Sequence, residues 1–425
     1  MVKSILKYVK QGYQIIIQSI AFYPVLLGIA FLIMAVLIFQ IENLDFINAL
    51  KEKLPYLFIS DYETARSILT TLIGGILSLT VFSFSMVMVV LNQASSNFSP
   101  RLLPNLVSNK KHQLILGVYI GTLLYAIFVL IVLGAKGIDS ESVGLSTMLA
   151  ALLAVLCIVL FVYFIHNIST AIQINSIIDR IYKSSSASLQ DMYEEQQSKM
   201  PLSVANSEDF KPIISTTTGY FNGFDFTLLS DSLKKQHNQI YIVPYLNQHV
   251  FEGDVVAKVE SSLSDTDRKD VLFCFNITSN RHGDDKGVSG LIKLMEIAVK
   301  AMSPGINDPG TAMEAIVKLG KLLYKIVAFA NATSYKMEGE NLVIVTTNIS
   351  IQEILRIIIQ PIRFYAKEDC LVLFQLVKTL QFVATNPNIS IENKAAIANE
   401  LETIRGSIER YIENENDKKR LLEEF

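Results

Sequence analysis

The sequence predicts a polytopic α-helical membrane bundle of four spans, followed by a cytoplasmic α+β domain with a small strand-rich, barrel-like unit and C-terminal helices. Three observations predict it. Four uncharged apolar blocks occur before His166, and the rest of the chain is polar but periodically apolar. The composition is also mixed: 51% hydrophobic residues and a mean hydropathy of +0.37 exceed an ordinary soluble domain, while 18% charged residues exceed a pure membrane bundle.

The blocks are Phe22–Phe39, Ile68–Leu91, Leu114–Leu133 and Val143–Ile165. Each is long enough, at about 1.5 Å per helical residue, to cross a hydrocarbon core of about 30 Å. Pro24 falls in the first turn of the first block, where its missing donor is tolerated. That block is longer than a signal h-region and lacks a small-residue cleavage site after it, so it reads as a span.

Loop charge sets the expected orientation. Lys3, Lys7 and Lys10 precede the first span, Arg101, Lys110 and Lys111 lie between the second and third, and Arg180 and Lys183 follow the fourth. The first connector instead carries Glu42, Asp45, Glu52, Asp61 and Glu63 against Lys51 and Lys53. Both termini are therefore expected in the cytoplasm.

The second span is the most polar. Gly74, Gly75, Ser78, Thr80, Ser83 and Ser85 interrupt it, and Asn92, Gln93, Ser95, Ser96 and Asn97 continue toward Pro100. Small residues favour close helix packing, and hydroxyls either bond the carbonyl one turn back or line a wet passage. Thr80, Ser83, Asn92, Ser96 and Arg101 are the candidate pore or vestibule residues. No Asp, Glu, Lys or Arg lies inside any block, which disfavours proton-coupled transport but leaves a channel open.

The organisation expected is a transmembrane domain over 1–180, a connector over 181–212, a strand-rich subdomain over 213–285 and a helical or α+β subdomain over 286–425. Strands are predicted at Ile213–Thr218, Gln239–Tyr245, Asp254–Glu260 and Val271–Thr278, with a turn at Phe251–Asp254 and a helical pattern over Phe224–Gln236. Val288–Met302 reads as an amphipathic helix stopped by Ser303-Pro304-Gly305. Asp308 and Pro309 then read as N-cap and first residue of a helix through Thr311–Phe329. Leu342–Thr347 reads as a strand, and Ser350 as the cap of a helix that Pro361 breaks before Arg363–Val383 resumes it. Ile391–Tyr411 reads as a helix, and the charged end as a frayed tail.

Arg281, Asp285, Asn307 and Asp308 form a candidate regulatory loop; capping explains the last two without a ligand. His282, Asp284 and Asp285 have no second histidine at useful spacing, so no metal site is predicted. Cys157, Cys274 and Cys370 are widely separated and suggest structural thiols. No phosphate-binding loop, zinc motif or nucleophile elbow occurs, so no catalytic residue, cofactor or enzymatic activity is expected. A formal net charge of -3 gives no support for nucleic acid as a partner.

Two blocks carry a resemblance: LNQASSNFSPRLLPNLVSNKKHQLILGVYIGTLLYA and AMSPGINDPGTAMEAI. With Gly219-Tyr220 and the Arg281 to Asp285 spacing, the chain resembles the bacterial family of predicted membrane proteins built on domain of unknown function 2254. The resemblance covers nearly the whole chain and implies four spans and a cytoplasmic domain, but no activity; the expected location is a bacterial inner membrane. Where the family has a Gly-Asp-Phe-Val turn, somewhat like that of biotinyl domains, this chain reads Asn247-Gln248-His249-Val250, with no lysine at an apex for cofactor carriage.

The leading functional expectation is an oligomeric channel or channel-like protein in contact with the lipid bilayer. Its second span would line an ion path, and its cytoplasmic domain would gate it. The alternative is a non-conducting scaffold or sensor that recruits a cytoplasmic protein or transmits a ligand signal.

Overall fold

The computed structural model describes residues 21–42, 44, 46–47, 53, 58–59, 61–97, 110–136, 144–171, 173–197, 209–279, 288–329, 332–336 and 341–425. These form two compact units that divide between Gln173 and Ile174.

The first unit contains four long apolar helices: α1 (Phe22–Ile41), α2 (Tyr62–Asn97), α3 (Lys110–Lys136) and α4 (Gly144–Ala171). Each is long and apolar enough to cross a membrane. Each also contains the apolar block read from the sequence, apart from Val143, which lies outside the described residues. α3 is the hub, packing against all three others. Its contact with α1 depends on Gly117 and Gly121: a Cβ at Gly117 would lie 2.6 Å from Leu27 Cδ1, and one at Gly121 would lie 2.7 Å from the Phe31 ring. Two small residues one turn apart let the helices approach closely, which substitutes for the hydrophobic drive that lipid removes. Outward, α2 and α4 present exposed Leu77, Val81, Phe84, Val155, Val159 and Val162, a surface suited to acyl chains.

The second unit begins with α5 (Ile174–Gln197), within the region expected to extend the spans and lead into a connector. α5 packs on two later helices of its own unit, α8 (Val288–Ala301) and α9 (Pro309–Ile326). The Lys318 ammonium meets Asp179 at 2.5 Å and that of Lys325 meets Ser186 Oγ at 2.8 Å, which places α5 along α9. α9 has Ala312, Ala315, Ile316, Leu319, Leu322 and Leu323 buried around much of its circumference, so it sits inside the helical layer.

The strands are β1 (Lys211–Ile214), β2 (Gly219–Phe224), β3 (Asn238–Ile242), β4 (His249–Val250), β5 (Val255–Val259), β6 (Phe275–Thr278), β7 (Ala332–Lys336) and β8 (Leu342–Thr347). They form two open sheets, in orders β1-β5-β3-β8-β7 and β4-β2-β6, instead of the expected barrel-like unit. Closure fails because β1 and β7 end the larger sheet, and β3 pairs with β8 in parallel while the other pairings are antiparallel. Both sheets bury apolar faces in one core, which includes Ile213, Phe221, Ile240, Val256, Val271 and Ile344. The Phe251–Asp254 turn is present, and Gly253 takes φ +97°, a conformation that disfavours a side chain.

Several local expectations are corrected. Val271–Thr278 is not one strand. Asp265–Cys274 is helix α7, started by Ser264 Oγ accepting from Asp267 N–H at 3.1 Å, and only Phe275–Thr278 is extended. Phe224 ends β2, and the helical pattern expected over Phe224–Gln236 is reduced to a 3-10 turn at Phe226–Leu228 and the single-turn helix α6 (Asp231–Lys234).

Pro361 does not break its helix: α10 runs from Ile351 through Tyr365. Interior proline costs about 3 kcal/mol. Burial of Ile354, Leu355, Ile358, Ile359 and Ile362 on one face favours continuity enough to offset that cost. The break falls after Ala366, where Asp369 Oδ1 accepts from Val372 N–H at 2.9 Å and opens α11 (Cys370–Ala384). α12 (Ile391–Tyr411) has the expected bounds, although within its anticipated stripe Ala395 is exposed while Ile397, Ile404 and Ile408 are buried. The charged end is not frayed. Glu415–Leu422 is helix α13, capped by Asn414, with Leu421 buried and Lys378 paired to Glu424.

Candidate functional site

The candidate residues of the second span occupy different environments. Ser83 is buried in the bundle beside Tyr119. Their hydroxyls are near enough to interact but lack hydrogen-bond geometry, and neither has another hydrogen-bond partner. Cys157 Sγ lies 3.5 Å from Thr122 Oγ1 in the same buried interior, which Ile76, Phe164 and Ile168 help to fill. Within one chain, this seam is packed side chain rather than a passage.

Thr80 is half-buried, and its hydroxyl donates to the Ile76 carbonyl at 2.7 Å; Ser78 does the same to Gly74 at 2.9 Å. Both hydroxyls thus satisfy themselves on their own helix. Gly74 and Gly75 have nothing within 4 Å of an added Cβ among the described residues, so none of the described helices packs closely there. Asn92 is exposed, and the helix continues through Ser96, whose side chain lies outside what is described. Arg101 lies outside the described residues, as do Arg281 and Asp285.

At the other candidate loop, Asp308 Oδ1 accepts from Thr311 N–H at 3.0 Å and Oδ2 from Thr311 Oγ1 at 2.6 Å. These bonds hold the Asp308 carboxyl below its usual pKa. Asn307 takes φ +47°, and the amides of Asn307 and Asp308 donate to Ser303 and Ala301 carbonyls. The turn between α8 and α9 is thus satisfied by its own groups.

Two features were not singled out in the sequence. Glu42, one acid among several in the first connector, is 1% exposed and caps α4 from a distance. It accepts from Leu145 N–H at 2.6 Å, Ser146 N–H at 3.3 Å and Ser146 Oγ at 2.5 Å, while Tyr125 donates to the Ser146 carbonyl at 3.2 Å. A carboxylate is well matched to the positive end of a helix.

The second is an open cleft of about 410 Å³ between α10 and α12. Gln352, Arg356, Gln360 and Arg363 lie along one wall at spacings of three or four residues, as one helical stripe requires. Glu392, Asn399, Glu400 and Thr403 line the other, with the small side chains of Ala395 and Ala396 leaving room. Arg363 Nε approaches Glu400 Oε1 at 3.5 Å and its Nη1 donates to Ser407 Oγ at 3.0 Å. Burial pushes the Glu400 carboxyl up in pKa, against the Arg363 charge. Arg356, at the rim, is held by Glu353 on its own helix. The cleft thus brings polar and charged groups from two helices to one open space.

A family model described as predicted membrane protein, DUF2254, matches residues 17–381. The chain belongs to the DUF2254 family. This family membership agrees with the four apolar helices. Uncharacterized proteins of Mycobacterium bovis and Mycobacterium tuberculosis are 23% identical over 373 residues, covering 84% of this chain and 71% of theirs. No solved structure matches. The DUF2254 match spans all four apolar helices and continues into α11, but it leaves α12, and so one wall of the cleft, outside.

Proposed function

We propose that this DUF2254 protein is a non-conducting, non-catalytic sensor of the bacterial inner membrane, with its termini in the cytoplasm. In this reading, its second unit takes up a small ligand and transmits the bound state to a cytoplasmic protein. The observation that carries the reading is the contrast between a filled span interior, where Ser83 and Tyr119 are buried, and an open polar cleft between α10 and α12. Liposomes containing the full chain test it: they are expected to remain sealed across voltage, tension and pH, and a steady ion flux would overturn it.

The exposed Gly74-Gly75 face of α2, with no close neighbour among the described residues, favours a second reading. A homo-oligomer would bring these faces together around an ion path that continues past Asn92 and Ser96 toward Arg101. The same flux measurement decides between the two.

A further inference from the structure

We infer that the cleft between α10 and α12 binds a free α-amino acid, its carboxylate toward the arginine-bearing wall and its ammonium toward the glutamate-bearing wall. The assignment names a ligand class for the sensor reading and in that respect rests on it.

The argument starts from the separation of charge. Arg356 and Arg363 belong to α10, whereas Glu392 and Glu400 belong to α12. A cleft for a simple anion would concentrate cations, and one for a polyamine would concentrate carboxylates; here the lining cations are on one wall and the lining carboxylates on the other. At the floor, the 3.5 Å approach of Arg363 to Glu400 shows that opposite charges come within the reach of a short dipole. An α-amino acid has its two charged groups on one carbon, while an extended zwitterion would separate them beyond this spacing.

The neutral lining adds discrimination. Gln352, Gln360 and Asn399 provide amides that both donate and accept, so they can complete the hydrogen bonds of a carboxylate or an ammonium. Arg356, paired to Glu353 on its own helix, keeps its side chain 64% exposed at the rim, whereas Arg363 and Glu400 are largely shielded. The alanines maintain the opening: a larger side chain at Ala396 would occupy it.

Calorimetric titration of the full chain in detergent with each standard free amino acid tests the assignment. At least one should bind saturably. Its N-acetyl form, lacking the ammonium, and its amide, lacking the carboxylate, should each bind at least about tenfold more weakly. Arg356→Gln and Ala396→Leu should cause a similar loss while the ligand-free unfolding temperature stays near that of the parent. Absence of saturable binding by every free amino acid would overturn the assignment, as would equal binding of both blocked forms or parental affinity in folded variants. Binding by a chain that also conducts ions would preserve the cleft assignment and sink the sensor reading; a sealed chain that binds none would do the reverse.

Discussion

Glu42, at the end of α1, accepts a hydrogen bond from the backbone N–H of Leu145 in the first turn of α4, at 2.6 Å. More than a hundred positions of chain separate the two. Hydrogen bonds to a charged group contribute about 1.5–3 kcal/mol. Glu42→Ala is therefore expected to lower stability by about 2–3 kcal/mol, with Glu42→Gln intermediate. Unfolding of the purified chain in mixed micelles provides the measurement, and an unchanged midpoint for Glu42→Ala would contradict the capping role.

Glycines in the neighbouring apolar helices α2 and α3 should respond in opposite ways. Gly117→Val and Gly121→Val would force side chains into Leu27 and Phe31, an overpacking cost of about 1–3 kcal/mol each. Gly74→Ala and Gly75→Ala meet open space and should leave monomer stability unchanged or raise it by up to about 1 kcal/mol through helix propensity. Cross-linking of the same variants reports on association: weakened oligomers of the α2 variants would favour the second functional reading.

Ser83 supplies a size test. Ser83→Leu should destabilise the bundle by about 1–3 kcal/mol, because the side chain is buried against packed neighbours. Ser83→Ala removes a buried hydroxyl without a partner and should be neutral or stabilising. If Ser83→Leu were fully stable and altered only ion flux, Ser83 would face a passage instead.

Asp308 gives an acid-sensitive cap. Its carboxyl pKa is lowered by the Thr311 hydroxyl and amide, so its contribution is present above the unfolded carboxylate value and declines as pH falls through the folded value. At neutral pH, Asp308→Ala should cost about 1 kcal/mol, whereas Asp308→Asn, another good cap, should cost little and flatten the acid limb. Denaturant titrations at neutral and acidic pH test both effects.

Pro361→Ala should stabilise the second unit, because alanine restores an amide donor inside α10 and removes the ring from the preceding turn. Thermal unfolding followed by circular dichroism should show a higher midpoint. A lower one would mean that the proline ring contributes more through packing than it costs.

What the sequence revealed depended on the range of the interaction. The four long apolar helices were legible as uncharged runs, and the caps at Ser350 and Asp308 were legible because donor and acceptor lie three positions apart. Ser264 followed by Asp267 carried the same signal for α7, but the β-branched and aromatic residues through Thr278 suggested a longer strand. Pro361 misplaced a boundary because local propensity does not register the buried isoleucine face. Glu42 and the cleft were not legible as sites: one joins residues far apart in the chain, and the other exists only after α10 and α12 pack together. Thr80 and Ser83 were legible as polar positions in an apolar helix and read as pore candidates, but composition alone could not place Ser83 against Tyr119.

The parallel partnership of β3 with β8 also bears on how the protein is made. Tyr241 faces Val345 across that ladder, roughly 100 residues later in the chain, which makes the central sheet a product of high contact order. During synthesis, β3 must wait with one edge unfilled while α8 and α9 emerge. A nascent chain stopped before Leu342 should therefore attract chaperones or aggregate, whereas release after β8 supplies the missing neighbour.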